Sequence, residues 1–298
     1  MTVIELIEAG AKQLADAGVA FGHGTANAFD ESAWLVLWKL GYALDDIDAA
    51  AEQPVTTAQQ AGVHDLLATR IASRKPAAYL TKEAWLQGVP FYVDERAIVP
   101  RSFIAELLAD GSFDPWLGPH TRRVLDLCTG NGSLAVLAAM TYPDVAVDAA
   151  DISTDALEVA KINVAQHDMG QRITLLVSDG LNDLPAKYDL ILCNPPYVNT
   201  ASMDALPAEY RAEPELALAG GPDGMDFIRA LLSAAPARMT PHAVLVLEIG
   251  NEYDNFTAAF PRLEAMGLPT SAGDDQVLLL TREAIARGAP PPPLSSRT

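Results

Sequence analysis

Asn194-Pro195-Pro196-Tyr197 follows directly on the apolar run Asp189-Leu190-Ile191-Leu192-Cys193, which reads as a buried strand. Two consecutive prolines remove two amide donors and restrict the residue before them, an awkward ending for a strand unless stiffness serves a purpose. An asparagine side-chain oxygen and a neighbouring main-chain carbonyl can accept both hydrogens of a planar NH2 group, while an aromatic ring stacks on its plane. Asn194, Pro195, Pro196 and Tyr197 are therefore the candidate catalytic residues. The chemistry they suit is alkylation of a nitrogen, either an amide or an aromatic exocyclic amine. An amide nitrogen is a poor nucleophile, and fixing it in line with an electrophile can supply up to about 7 to 11 kcal/mol. The acceptor of the departing proton is not named by any residue pattern.

A second cluster lies upstream, at Asp126-Leu127-Cys128-Thr129-Gly130-Asn131-Gly132-Ser133-Leu134-Ala135. Its glycines let main chain approach a ligand at a strand-to-helix turn, where open α/β sheets bind nucleotides. The segment satisfies the G-x-G-x-x-A fingerprint, and Asp151 falls where a ribose-binding acid belongs. Alone, it fits a nicotinamide-dependent dehydrogenase and an S-adenosylmethionine-dependent methyltransferase equally. Asp179, in Ser178-Asp179-Gly180, could accept from an adenine amino group, although Asp-Gly is also an ordinary turn. Gly130 with Gly132, Asp151 and Asp179 would then line one crevice in the order methionine, ribose, adenine. A dehydrogenase has no evident use for Asn194 to Tyr197, so the two clusters together favour methyl transfer.

The elements that must position these residues alternate. Strands are expected at Val124–Leu127, Val145–Ala150, Ile173–Val177, Tyr188–Cys193, Ala243–Ile249 and Gln276–Leu280, with helices from Ser133, from Ser153 and over Asp223–Met239. That order predicts a doubly wound, mostly parallel α/β sheet. Residues 1–76 read as a helical unit: an apolar stripe from Val3 to Leu14, a helix N-capped by Asp30 and closed at Gly41, and a third from Thr57 to Arg74. Residues 77–101 read as a β-hairpin linker, with strands at Glu83–Leu86 and Phe91–Val93 joined through Gly88 and Pro90. The catalytic part is expected over 102–285, followed by a frayed Pro-rich tail over 286–298.

At this level of detail the chain resembles the protein glutamine-N5 methyltransferases over nearly its whole length. Within that family the ribosomal branch is the nearer match, on Tyr92-Val93-Asp94-Glu95-Arg96, Val99-Pro100-Arg101-Ser102, Leu206 to Leu216, Gly22-His23-Gly24-Thr25 and Ala78-Tyr79-Leu80-Thr81. The release-factor branch carries Pro-Arg-Pro-Glu-Thr-Glu where this chain has Pro100 to Ala105. Cys128 stands where the family often has Gly, and Phe103 where the ribosomal branch often has Pro. The resemblance implies a Rossmann-like S-adenosylmethionine-dependent methyltransferase sheet, with S-adenosyl-L-methionine as cofactor. It implies contacts to that cofactor from Asp126, Cys128, Thr129, Gly130, Asn131, Gly132, Asp151, Asp179 and Asn194. The implied substrate is a glutamine of large-subunit ribosomal protein L-three, held by Asn194 through Tyr197. A release factor is the alternative substrate, with a DNA adenine amine and a non-catalytic binding role further behind.

Composition limits the partners. The 298 residues carry 39 acidic and 20 basic side chains, a formal charge of −19. Phosphate-backbone affinity comes mostly from Lys and Arg, so direct DNA binding is not expected and a basic protein partner is. No apolar run approaches the about 18 to 20 residues of a membrane-spanning helix, and the first residues lack a basic then apolar leader. A cytoplasmic protein is expected, with no metal site, since the five histidines lack ligand spacing. Cys128 and Cys193 end strands that should lie side by side, as buried thiols. Arg101 and Arg211 read equally as site-orienting groups and as surface ion pairs. The stretch from Val198 to Gly221 is long for a connection and reads as a substrate-docking loop.

Overall fold

A computed structural model describes residues 1–289 of the chain. Helices α1 (Val3–Asp16), α2 (Ala28–Leu40), α3 (Ile47–Ala50), α4 (Thr57–Ser73) and α5 (Ala77–Thr81) form the N-terminal region. Thr2 and Thr56 start α1 and α4 with reciprocal capping boxes to Glu5 and Gln59. Asn27, not Asp30, caps α2, because the apolar pair Ala28-Phe29 already belongs to its first turn. These helices bury Leu6, Ile7, Leu35, Leu37, Val63 and Leu67 in one cluster that also takes in Tyr79, Val93 and Val99.

A two-stranded hairpin follows, β1 (Ala84–Leu86) and β2 (Val89–Phe91). Its second strand lies two residues earlier than expected. Trp85 pairs with Pro90, and a proline in an edge strand can turn its missing N–H side to solvent. Then come α6 (Ile104–Asp110), β3 (Arg123–Leu127), α7 (Ser133–Thr141), β4 (Ala146–Asp151), α8 (Thr154–Gln166), β5 (Ile173–Val177), β6 (Tyr188–Cys193), α9 (Thr200–Ala205), α10 (Asp226–Arg238), β7 (Met239–Glu248), α11 (Tyr253–Ala259), β8 (Met266–Gly267), β9 (Val277–Thr281) and α12 (Arg282–Gly288). The last helix among the described residues runs to Gly288, past residue 286, where the tail was expected to begin; Pro290 to Pro293 lie outside the described residues.

The sheet has seven strands in the order β5-β4-β3-β6-β7-β9-β8, parallel from β5 to β7 and antiparallel at β9 and β8. Apolar residues point to both faces of its centre, and every residue of β6 is buried, as a parallel sheet covered by helices on both sides requires. The chain leaves β3 towards β4 and later returns to β6 on β3's other side, so a crevice opens beyond the carboxyl ends of β3 and β6. Register lines up what stands there. Val177 pairs with Asp151, Ala150 with Leu127, Leu127 with Cys193, and Cys193 with Leu247. The residues that follow each strand therefore emerge in one row. Among the described residues no helix is long and apolar enough to cross a membrane.

Candidate active site

Three residues in left-handed conformation shape the loop after β3: Cys128 at φ 60°, Gly130 at 54° and Gly132 at 80°. Cys128 is the one of the three that is not glycine, and a non-glycine residue in that region stores about 1 to 3 kcal/mol. The Cys193 thiol beside it, together with burial, holds its pKa well above that of an ordinary thiol. The two thiols are neighbours as expected, but only Cys193 is buried; Cys128 is half-buried because its loop lines a cavity. Gly132 has a different reason: a Cβ there would lie 3.0 Å from the Ala160 Cβ and 3.2 Å from its Cα, so α7 and α8 can approach only without one.

Asp126 lies beneath the loop, fully buried. It accepts from the Thr129 hydroxyl and from the Ala135 amide at 2.9 Å, binding the loop to the first turn of α7. Burial pushes its carboxyl up to about 7 despite those bonds. Asp151 at the end of β4 accepts from the Gly130 amide and the Ser153 amide, each at 2.9 Å. Burial raises its pKa as well.

Two cavities meet at this row of strand ends. The first is lined by Cys128, Gly130, Asp151, Asp179, Asn194 and Pro196, closed by Ile98 and Ala97 of the linker and by Phe227 of α10. Thr129 and Asn131, with Gly130 and Asn194, open on a small recess beside it. Asp126 and Gly132 line neither space; they hold the loop from below. The second cavity, about 820 Å³, is lined by Asn194, Pro195 and Tyr197 together with Arg101, Phe103, Tyr210, Glu248 and Gly250. Asn194 belongs to both, with Ile98 and Ala217. It stands at the partition.

Tyr197 is seated with little slack. A Cβ on Gly250 would lie 2.6 Å from its Cε2 and 2.9 Å from its Cζ, one on Gly220 would lie 2.8 Å from its carbonyl carbon, and one on Gly224 would overlap its carbonyl oxygen. Its hydroxyl donates to Glu248 at 3.3 Å. Burial, then the Glu248 charge, push the phenol pKa far up, so the ring stays neutral. Glu248 ends β7, is only 2% exposed, and also accepts from the Ser102 hydroxyl at 2.5 Å and the Phe103 amide at 3.0 Å. Burial pushes it up to about 7. Neither Glu248 nor the three glycines is singled out by sequence reasoning. The usable signals were a lone carboxylate closing an apolar strand, and Gly220-Gly221-Pro222-Asp223-Gly224 after the long loop.

The outer wall of the second cavity comes from the N-terminal region and the 198–221 segment. Gly22, Gly24, Thr25 and Ala26 line it together with Tyr210 and Leu206. The His23 ring packs on Tyr210 with centroids 4.3 Å apart. Glu213, buried, sits 3.4 Å from His23 Nε2 and accepts from Arg101 at 2.7 Å through both terminal nitrogens. Burial opposes its charge, but Arg101 and His23 hold its pKa well below the usual range. Arg101 is thus no surface pair: it bridges linker and segment and lies 5.5 Å from the Tyr210 ring centre. Arg211 is peripheral, donating to the Asp204 carbonyl at 3.0 Å. A second buried carboxylate, Glu209, accepts from Arg74 at 3.1 Å, next to Arg70, which is itself held by Glu31 at 2.8 Å. Two buried acids fasten the long segment to the helices of the N-terminal region.

Residues 106–209 match the family model of the methyltransferase small domain. The ribosomal protein uL3 glutamine methyltransferase of Bordetella pertussis is 52% identical over 287 residues, covering 95% of this chain and 96% of its own. The protein of the same name from Burkholderia pseudomallei is 47% identical over 293 residues, covering 94% of each chain. Among solved structures, the hMettl16 catalytic domain in complex with the MAT2A 3′UTR hairpin 6 shares the fold, with a TM-score of 0.50 at 15% identity over 73% of this chain and 81% of that one. Identity at this level along almost the whole length places the chain in the family of ribosomal protein uL3 glutamine methyltransferases.

Proposed function

We propose that the protein transfers a methyl group from S-adenosylmethionine to the side-chain amide nitrogen of a glutamine in ribosomal protein uL3. The observation that carries this reading is Asn194, shared by a nucleotide-type cavity and a second cavity open to the N-terminal region. The first cavity suits the cofactor. It combines an acid at the end of β4 and another after β5 with apolar walls from Ile98 and Phe227. Asn131, which opens on the recess beside this cavity, holds a buried side-chain amide nitrogen without a hydrogen-bond partner among the described residues. Such a donor matches in kind the carboxylate of an amino-acid tail.

When bound, S-adenosylmethionine supplies an electrophilic sulfonium methyl. The chain's residues do the rest. The Asn194 side-chain oxygen, with a main-chain carbonyl of the Asn-Pro-Pro turn, accepts the two N–H bonds of the glutamine amide and directs its nitrogen at the partition. Tyr197, neutral and wedged against Gly250, stacks on the amide plane. Held carbonyl dipoles favour the positive charge that arrives on nitrogen. Asp126 and Gly132 act one step removed, by setting the loop that faces the methyl donor.

On this reading residues 1–76 dock the substrate protein, 77–101 connect, and 102–285 catalyse. Ribosomal proteins are rich in basic residues, and a charge of −19 favours encounter with one in the cytoplasm. The same charge disfavours duplex DNA. Incubation with labelled S-adenosylmethionine and, separately, uL3, a release factor and duplex DNA tests the proposal. Label in uL3, mapped to a glutamine, is expected; label in the release factor alone would overturn the substrate.

A further inference from the structure

Glu248 is a buried carboxylate beside the acceptor cavity, and the methyl-transfer scheme above assigns it no part. Three groups converge on it from three separate stretches of chain. Ser102 Oγ and the Phe103 amide reach Oε2 from the start of α6, and Tyr197 Oη reaches Oε1 from the turn after β6. Parallel pairing of Cys193 with Leu247 brings Glu248 level with Asn194. The Tyr197 ring is confined at its edge by Gly250 and at its hydroxyl by Glu248, while its main chain is confined by Gly220 and Gly224.

We propose that Glu248 is a positioning residue for the methyl acceptor: its carboxylate holds the Tyr197 ring at the tilt on which the target amide stacks, and it does so in the ionised form. This rests on the glutamine reading of the second cavity. All three neighbours present a hydrogen to Glu248, and only an ionised carboxylate accepts from every side. A proton on Oε1 would face the Tyr197 hydroxyl proton, and the phenol would have to turn into a buried space to become an acceptor. Burying a carboxylate without a cationic partner favours that proton, so the two forms exchange near neutral pH.

Other charged groups around the site are already engaged. Arg101, from the linker, is neutralised by Glu213 of the 198–221 segment. Glu106 of α6 accepts from Ser271 at 2.6 Å, and Glu252, ahead of α11, accepts from Asn199 at 2.7 Å. The titration that reaches Tyr197 directly is therefore that of Glu248. Because its ionised form is the working one, turnover should rise with pH through an acidic limb and level off above it.

Glu248→Gln keeps the volume and leaves an oxygen for Ser102 and Phe103, but turns an amide donor towards the tyrosine. Expected for this variant is a kcat about 10- to 100-fold lower, the equivalent of losing a hydrogen bond to a charged group, with the acidic limb gone. Calorimetric affinity for S-adenosylhomocysteine should stay unchanged, because Glu248 does not line the first cavity. Ser102→Ala gives a second reading that does not depend on how E248Q folds. Removing a donor to the charged form should move the limb to higher pH while its plateau stays near the wild-type value. A wild-type limb unmoved in S102A, or an E248Q enzyme with wild-type kcat and pH profile, would overturn the role of Glu248. If the wild-type enzyme labelled no glutamine at any pH, the function reading would fall instead.

Discussion

Replacing Gly250 with alanine probes the seat of Tyr197 by a known displacement. The added Cβ would lie 2.6 Å from Tyr197 Cε2, whereas ordinary contact begins at 3.4 Å, so the ring must retreat by about 0.8 Å or the strand end must yield. Misplacing a group that orients substrate by about 1 Å can cost about 100-fold in rate, which is the loss of kcat expected for G250A. Alanine at φ 51° also carries a backbone penalty of about 1 to 2 kcal/mol, which should lower the melting temperature by several degrees. Gly88→Ala separates the two effects. Gly88 has φ 74°, and a Cβ added to it would meet nothing within 4 Å, at the hairpin tip away from both cavities, so G88A should lose stability alone. Single-turnover methylation of uL3 and calorimetry with S-adenosylhomocysteine are the assays, the second expected to be unchanged in both variants. A G250A enzyme within about threefold of G88A in single-turnover rate would show that the ring can shift by this distance without consequence, and the stacking role would fail.

Further outcomes are expected elsewhere in the molecule. Asn194→Ala should abolish methyl transfer while calorimetric cofactor affinity falls by no more than about tenfold, one contact among many; turnover near the wild-type rate would refute its role as amide acceptor. Asp126 titrates in the folded protein at about 7, above its ordinary 3.8, so its stabilising contribution is complete below pH 3.8 and lost as pH rises through 7. Asp126→Asn removes that titration, and its stability relative to wild type should improve by about 4 kcal/mol between pH 4 and pH 8, read from urea melts; a pH-independent difference would contradict the burial account. The association rate with uL3 should fall steeply as salt rises, as expected for an acidic enzyme meeting a basic protein, and a stopped-flow rate insensitive to ionic strength would reduce the charge to a matter of solubility.

What could be read in advance depended on how far apart in sequence the cooperating residues lie. The loop from Asp126 to Gly132 and the Asn194 to Tyr197 turn each keep their candidate site residues within a few positions of one another, and alternation of strands and helices located both at strand ends. Glu248 escapes such reading because its meaning comes from Ser102 and Tyr197, 146 and 51 positions away. Gly250 escapes likewise, since only the folded ring of Tyr197 shows what its missing Cβ avoids. Arg101 reads equally as a site-orienting group and a surface pair until Glu213 closes on it from a distant segment. The displaced β2 strand and the early start of α2 have local causes: a proline accepted at an edge, and an asparagine cap ahead of an apolar pair.

The fastening of the 198–221 segment by Glu209 and Glu213 bears on how such an enzyme could be altered. Remove residues 1–76 and Glu209 loses Arg70 and Arg74 while Glu213 loses His23 and keeps only Arg101, so the remaining part would keep its sheet yet lose most of what fastens one wall of the second cavity. The wall of the second cavity is consequently not a detachable module. A chimera that exchanged residues 1–76 for those of a differently targeted relative would have to bring along the matching partners of Glu209 and Glu213, and changes on the two sides of that seam are constrained to occur together.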